Sequence, residues 1–117
     1  MRVALVALGG ALGSVARYGI GVAFGEQRWP VATLGINVVG SFILGVVLTW
    51  GVDRLSPDVR VGLAVGVLGG FTTYSTFSYD AATLDRRGAT IYIVASVVLG
   101  VLAALAGRQF GNRLVGT

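Results

Sequence analysis

The sequence predicts an all-α membrane protein with four transmembrane helices, and three observations support this fold class. Apolar and aromatic residues make up 55% of the 117 positions, charged residues only 12%, and the mean hydropathy is +0.82. The chain contains four apolar runs, each close to the roughly 20 residues that a helix needs to cross a bilayer. The connectors between the runs are short, so we expect a single transmembrane domain over residues 1–117.

The four runs differ in the polar residues that they carry or that close them. The first run holds one charge, Arg17, while Trp29 and Trp50 flank the second run, as is typical of the two membrane interfaces. The third run is closed by Asp80 and the fourth by Arg108. The predicted spans are 3–25, 31–52, 61–79 with a break near 69–73, and 88–107.

The N-terminus also has the pattern of a signal peptide, with Arg2, an apolar run and then the small residues Ser14-Val15-Ala16. Cleavage there would remove most of one predicted span and leave three. A retained first helix is therefore the preferred interpretation.

The charged residues exclude several functional classes. All nine cations are Arg, and the chain has no Lys, His or Cys. Disulfide scaffolds, Cys/His zinc sites, Cys nucleophiles and His-dependent triads are therefore excluded, and no nucleophile–base pair supports an enzyme. The arginines are scattered among apolar runs and form no basic stripe, which argues against a nucleic-acid partner.

The third run differs in kind from the others. Residues 69–78 combine a Gly69-Gly70 pair with five Ser or Thr residues, a composition that disfavours a helix interior. Because irregular backbone inside a bilayer is tolerated only where it is buried in protein or lines a watery cavity, the segment predicts a broken helix at a functional site. The alternative is that the hydroxyls bond back to the carbonyls of an intact helix.

Two further polar side chains lie within the spans. Asn37 shares one helix face with Thr33 and Ser41, where it either lines a pore or makes a structural hydrogen bond between helices. Arg17 lies past the bilayer midplane, so it either snorkels to the far interface or lines a vestibule that attracts anions. The runs carry no acid deep in the bilayer, which favours an anion over a proton or cation as the transported species.

Three segments give the sequence a specific family resemblance. Residues 9–18 read GGALGSVARY, residues 33–42 read TLGINVVGSF, and residues 69–78 read GGFTTYSTFS. In this order and spacing, the sequence resembles the fluoride channels called Fluc or CrcB over essentially the whole chain. The resemblance implies passive fluoride export by a multi-pass protein of the cell membrane, which protects the cell against fluoride toxicity.

The resemblance also implies an assembly and a set of site residues. Two copies would form an antiparallel dual-topology dimer with two pores and one structural Na⁺, held by the backbone carbonyls of Gly69 and Thr72 from each copy. Arg17 matches an arginine near the vestibule. The implied pore residues are Asn37, Tyr74, Ser75, Thr76, Phe77, Asp80, Tyr92 and Ser96.

Two positions depart from the family pattern, which usually has Phe where this chain has Tyr74 and Glu where it has Asp80. Both changes keep the hydrogen-bonding character of the implied pore. Fluoride is strongly hydrated, so a pore must replace its water with donors such as the Asn37 amide and the Ser96 hydroxyl. Aromatic ring edges carry positive quadrupole density and can also contact an anion.

Two rival functions and the assembly stay open at this stage. A small dual-topology multidrug exporter would need a carboxylate in the first span, where this chain has Arg17. A non-transporting membrane assembly subunit would leave the hydroxyl-rich third run unexplained.

Outside the spans, five arginines fall on the side of both termini and three on the other, a weak bias that predicts insertion in both orientations. Glycine pairs such as Gly9 and Gly13 favour an oligomer in the lipid bilayer, either a homodimer or a heterodimer with a paralogous subunit.

Overall fold

The computed structural model describes residues 1–116, and all regular structure within this range is helical. The longest helices are the first and the last. The third apolar run is divided into several pieces, one of them a π-helical segment. In chain order the elements are α1 (Arg2–Phe24), α2 (Val31–Val47), α3 (Gly51–Arg54), α4 (Pro57–Val61), the π-helical segment (Gly62–Val67), α5 (Leu68–Phe71), α6 (Tyr74–Thr83) and α7 (Arg86–Val115).

Two of these helices, α1 and α7, are long and apolar enough to cross a membrane, and α2 is a shorter apolar helix. The large apolar side chains of α1 and α7 are mainly exposed, as at Val3 and Leu12. A soluble domain hides most such side chains in a core. The described part of the chain therefore has an apolar outer surface suited to lipid or to another chain. The buried apolar side chains within residues 1–116 are Ile36, Val47, Leu68 and Tyr92.

Local hydrogen bonds explain where the helices begin and end. The Ser56 hydroxyl accepts from the Val59 amide at 3.3 Å at the start of α4. The Asp85 carboxylate accepts from the Gly88 amide at 3.2 Å at the start of α7. Both are N-cap bonds, which satisfy amides that the first helical turn leaves free. Gly25 ends α1 with a φ of 67°, a conformation that favours glycine.

The helix bounds also extend beyond two of the predicted spans. Helical structure in the third run reaches from Pro57 to Thr83, and α7 continues past residue 107 to Val115. Hydropathy alone does not mark these ends because Arg, Gln and Asn are compatible with a helix outside the hydrocarbon core. Gly111 lies within this extension and packs against Thr49 and Trp50 at the end of the second run.

Helix α1 packs against the first half of the third run through glycines on one face. A Cβ atom at Gly9 would lie 2.6 Å from the Gly62 carbonyl oxygen, and one at Gly13 would overlap the Val67 carbonyl. Such close backbone approach is how helices associate where lipid supplies no hydrophobic drive. Arg17 is four residues beyond Gly13 on the same face, so this packing brings it to the end of α5.

Helices α2 and α7 form the second close pair. A Cβ atom at Gly45 would overlap the Ala104 carbonyl, and one at Gly107 would overlap the Phe42 carbonyl. The pairing carries the first half of α7 past the break in the third run, where Tyr92 contacts the ring of Phe77.

Candidate functional site

The candidate site is built around a break between α5 and α6. Thr72 has φ −82° and ψ 157°, and Thr73 has φ −149° and ψ 120°, so both are extended. The Thr72 amide still donates to the Leu68 carbonyl at 2.9 Å, and the Thr72 hydroxyl donates to the same oxygen at 2.8 Å. The chain therefore leaves the helix directly after a well-bonded last turn.

Asn37 on α2 holds the extended residues in place. Its Nδ2 donates to the Thr73 carbonyl at 3.1 Å, and its Oδ1 accepts from the Thr73 amide at 2.9 Å. Of the two interpretations left open by the sequence, the interhelical hydrogen bond is present. An amide nitrogen has two donor hydrogens, so Nδ2 keeps a second hydrogen that this pairing does not use.

Two amides at the break and in the turn that follows it are diverted from their helical acceptors. In an unbroken helix the Thr73 amide would bond to the Gly69 carbonyl, and the Thr76 amide to the Thr72 carbonyl. Instead, the Thr73 amide donates to Asn37, and the Thr76 amide donates to Thr73 Oγ1 at 3.1 Å. The Gly69 and Thr72 carbonyls thereby lose their helical donors and become available to another partner.

Arg17 binds the end of the first half of the broken helix. Its Nε donates to the Gly70 carbonyl at 3.1 Å, and the bond is partly buried. The sequence left two interpretations, snorkelling or lining a vestibule. The structure shows a contact that neither interpretation predicts, because Arg17 binds the backbone at the break itself.

A cleft of about 440 Å³, which we call the main cleft, lies beside the break between α2, the third run and α7. None of the described residues that line it is acidic. The sequence-predicted residues that line it are Asn37, Gly69, Thr72, Tyr74, Phe77 and Ser96.

The remaining predicted residues lie around the main cleft. Arg17 and Thr76 line a second cavity of about 440 Å³, the side cavity, together with Thr33. Asp80 lines a smaller cavity of about 280 Å³, the mouth cavity, beside Arg28. The structure therefore distributes most of the predicted residues over three neighbouring cavities.

Two predicted site residues, Tyr92 and Ser75, line none of these three cavities. Tyr92 is buried. The Ser75 side chain is exposed, and its hydroxyl lies 3.4 Å from the Thr73 hydroxyl. Thr73 was not predicted as a separate site residue, although it caps α6 and binds Asn37. A Thr directly before a helical segment is a sequence signal for such a cap.

A row of aromatic rings runs from the main cleft to the mouth cavity. The Tyr74 and Phe77 ring centroids are 6.0 Å apart, those of Phe77 and Tyr92 are 5.3 Å apart, and those of Tyr92 and Trp29 are 6.2 Å apart with a T-shaped geometry. These separations are typical of packed aromatic pairs, which present ring edges to their neighbours. Trp29 was assigned to the interface from sequence, and only the fold reveals its contact with Tyr92.

Two hydroxyl groups on α7 are buried without a hydrogen-bond partner among the described residues, Tyr92 Oη and Ser96 Oγ. The Asp80 carboxylate is close enough to the Tyr92 hydroxyl for an electrostatic interaction. Buried polar groups normally have partners, so an unpaired hydroxyl calls for an explanation such as a transient ligand.

Comparison with known proteins identifies the family. The family model described as CrcB-like protein, Camphor Resistance (CrcB), matches residues 4–108. The chain belongs to the CrcB family. A relative from Agrobacterium fabrum named fluoride-specific ion channel FluC is 45% identical, with 97% of this chain and 98% of the relative covered.

Two other relatives carry the same kind of name. A protein from Thermus thermophilus, fluoride-specific ion channel FluC, is 45% identical over 98% of this chain and 97% of its own. Fluoride-specific ion channel FluC 1 from Rhodococcus jostii is 50% identical over 95% of this chain and 86% of its own. These findings confirm the CrcB resemblance, and the matched residues include every candidate site residue from Arg17 to Ser96.

Proposed function

We propose that this CrcB-family chain is a fluoride-selective channel of the cell membrane that lets fluoride leave the cell passively. The observation that carries the proposal is the main cleft, which combines donors and aromatic rings beside a helix break and has no acidic lining among the described residues. The names of the relatives, which specify fluoride, support the choice of ion.

The chemistry of fluoride explains why these residue types suit the task. Each water removed from the ion must be replaced by a donor, and binding must remain weak enough for exit. The unpaired hydroxyl of Ser96 and the remaining Asn37 hydrogen supply neutral donors. Neutral donors and ring edges hold an anion less tightly than a bare cation would, which favours conduction.

The proposed path uses all three cavities. The side cavity, with Arg17 and Thr76, and the mouth cavity, with Asp80, share lining residues such as Thr33 and form the vestibule at one end of the path. From there fluoride passes the Phe77 and Tyr92 rings and reaches the other end through the main cleft. Ser75, at the exposed first turn of α6, contributes to the same polar track. Protection against fluoride toxicity follows from passive export.

The proposed working form is an antiparallel dual-topology homodimer with four spans in each copy. The apolar outer surface and the weak arginine bias support this assembly. A heterodimer with a paralogous subunit is the alternative.

The residues at the break fit a shared structural Na⁺. The Gly69 and Thr72 carbonyls have lost their helical donors, and the space beside exposed Gly69 is open to at least 4 Å. Hard cations prefer oxygen ligands, and broken membrane helices supply them as carbonyls. Bound there, Na⁺ would neutralise the carbonyl ends and join the two copies.

The rival functions are less consistent with the structure. A multidrug exporter needs an acidic side chain within the first span, whereas the charged side chain inside that span is Arg17, bonded to Gly70. A non-transporting assembly subunit gives no reason for the unpaired Ser96 hydroxyl in the lining of the main cleft.

Fluoride efflux from liposomes that contain only the purified protein tests the proposal. We expect rapid efflux without ATP or a proton gradient, and far slower chloride efflux from matched liposomes. Equal leakage of both anions, or a strict requirement for a proton gradient, would refute it.

Labelling tests the topology separately. Because the native chain has no Cys, Gly116→Cys supplies one thiol at the end of α7. A membrane-impermeant maleimide should modify about half of the molecules from each side of the membrane if both orientations insert. Labelling from one side alone would reject the homodimer and favour a paralogous partner.

A further inference from the structure

Arg17 makes a contact that a vestibule residue does not need. Its bond to the Gly70 carbonyl uses Nε, the atom nearest the stem of the guanidinium, and spans 53 positions in the chain. A charge that only attracts anions needs no fixed partner, whereas this donor is committed to one backbone oxygen. An arginine within a membrane span is also costly unless it is paired or serves a function.

The acceptor is a carbonyl that the break creates. In an unbroken helix the Gly70 carbonyl would accept from the Tyr74 amide, but extended Thr72 and Thr73 separate the two. Arg17 replaces that lost donor. The carbonyls at the end of a helix carry partial negative charge, so a cationic donor is well suited to this position.

The packing of α1 fixes the register of this contact. Gly9, Gly13 and Arg17 recur at four-residue intervals on one face, and the two glycines meet the backbone of the π-helical segment and α5 too closely to admit a Cβ atom. Gly70 itself is packed against α1 just as closely, because a Cβ atom there would lie 2.5 Å from the Gly10 carbonyl. The close backbone packing of α1 therefore places Arg17 next to Gly70.

We propose that Arg17 is a positioning residue, which supports conduction by holding the Gly70 carbonyl, and with it the break, through its Nε–H donor rather than by attracting anions with its charge. Asn37 holds the second half of the break from α2, and Arg17 holds the first half from α1. The two clamps together fix the orientation of the free Gly69 and Thr72 carbonyls and of the first turn of α6. This role deepens the proposed channel function and rests on it.

Three variants separate the donor from the charge. In Arg17→Gln the amide nitrogen occupies the same place along the side chain as Nε, so the donor remains and the charge is lost. Arg17→Met has matching length without a donor or a charge. Arg17→Lys keeps the charge but carries its nitrogen one bond farther out. Arg113→Met, at the exposed end of α7, is the matched control for losing an arginine outside the site.

Fluoride efflux from liposomes gives the first readout. We expect Arg17→Gln to stay within about threefold of the unchanged protein and Arg17→Met to fall at least about tenfold, as for the loss of one partly buried hydrogen bond to a charged donor. Arg17→Lys should fall below Arg17→Gln, and Arg113→Met should be unchanged. Efflux that survives in Lys but falls equally in Gln and Met would overturn the proposal in favour of charge attraction. Unchanged efflux in all three variants would also overturn it.

Hydrogen exchange in detergent, without fluoride, gives the second readout. Peptides that cover residues 70–76 should exchange faster in Arg17→Met than in Arg17→Gln, while peptides from α7 keep their rates in both. Equal rates in the two variants at 70–76 would contradict a positioning role. If the unchanged protein conducts no fluoride, the channel function fails. The relative exchange rates of Arg17→Met and Arg17→Gln at residues 70–76 still decide whether Arg17 positions the break.

Discussion

The third apolar run and helix α7 each contain four glycines, yet only the third run is broken. Helix α7 continues for 30 residues, although Gly88, Gly100, Gly107 and Gly111 lie along it. The third run passes through a π-helical segment and then leaves the helix at Thr72 and Thr73. The contrast shows that glycine permits a break but does not cause one.

The cause lies in side chains that compete for the backbone. Around the break, Asn37 takes the Thr73 amide and carbonyl, Thr73 Oγ1 takes the Thr76 amide, and Arg17 takes the Gly70 carbonyl. Two of the α7 glycines instead serve close packing, Gly107 against Phe42 and Gly111 against Thr49. A break therefore needs side chains that hydrogen-bond to the backbone amides and carbonyls that lose their helical partners.

The largest effect is expected from Asn37→Asp. The carboxylate keeps the acceptor for the Thr73 amide but loses the donor and sets a negative charge against the Thr73 carbonyl. We expect fluoride efflux to fall at least about 30-fold, because an unpaired buried acceptor costs roughly 1–3 kcal/mol and the charge adds to it. The measurement is liposome efflux, with dimer assembly checked by size-exclusion chromatography.

Asn112→Asp makes the same chemical change on exposed α7 and is the control, with efflux expected to be unchanged. Normal efflux from a well-assembled Asn37→Asp protein would mean that the break does not depend on this pair of bonds.

The next effect concerns the aromatic row. Phe77→Ile removes ring contacts with both Tyr74 and Tyr92 while keeping an apolar body, so efflux should drop by about tenfold, or about 1.4 kcal/mol of barrier. The matched control is Phe110→Ile on α7, which loses a ring contact with Phe42 away from the main cleft. If both variants reduce efflux equally, ring packing in general, and not the position of Phe77, is responsible.

Sequence patterns predicted much of this architecture because they depend on local physics. Apolar length marked α1 and α7, and the Gly69-Gly70 pair with its Ser and Thr neighbours marked the segment in which the helix ends. These features need only the preferences of nearby residues.

What the sequence did not predict depends on contacts between distant residues. The bond from Arg17 to Gly70 and the contact of Trp29 with Tyr92 join positions far apart in the chain. The π-helical segment at Gly62–Val67 has no distinct composition, and it lies where α1 approaches through Gly9 and Gly13. Single-sequence periodicity carries no information on such pairings.

The next effect is expected on stability rather than on efflux, and it concerns packing in the unbroken run. In Gly107→Ala the new Cβ atom would overlap the Phe42 carbonyl, whereas in Gly100→Ala it would lie 3.9 Å from Ser41 Oγ. Overpacking of this kind costs about 1–3 kcal/mol, so Gly107→Ala should lower the thermal stability of the purified protein and Gly100→Ala should not. Equal stability of the two variants would show that the α2–α7 pair separates easily, contrary to its close backbone contact.

The smallest effect is expected for Tyr74→Phe, which restores the ring usual for the family at the broken run. The contact of this ring with Phe77, at 6.0 Å between centroids, does not involve the hydroxyl, and the Tyr74 side chain is 81% exposed in the single chain. Efflux should therefore stay within about twofold of the unchanged protein, since no packed contact is lost and one exposed hydroxyl adds little to the barrier.

Tyr79→Phe, on the same helix and 72% exposed, is the control for removing a hydroxyl away from the main cleft. A large loss in Tyr74→Phe alone would assign the Tyr74 hydroxyl a direct part in conduction, and the row of rings would then act through a donor as well as through its edges.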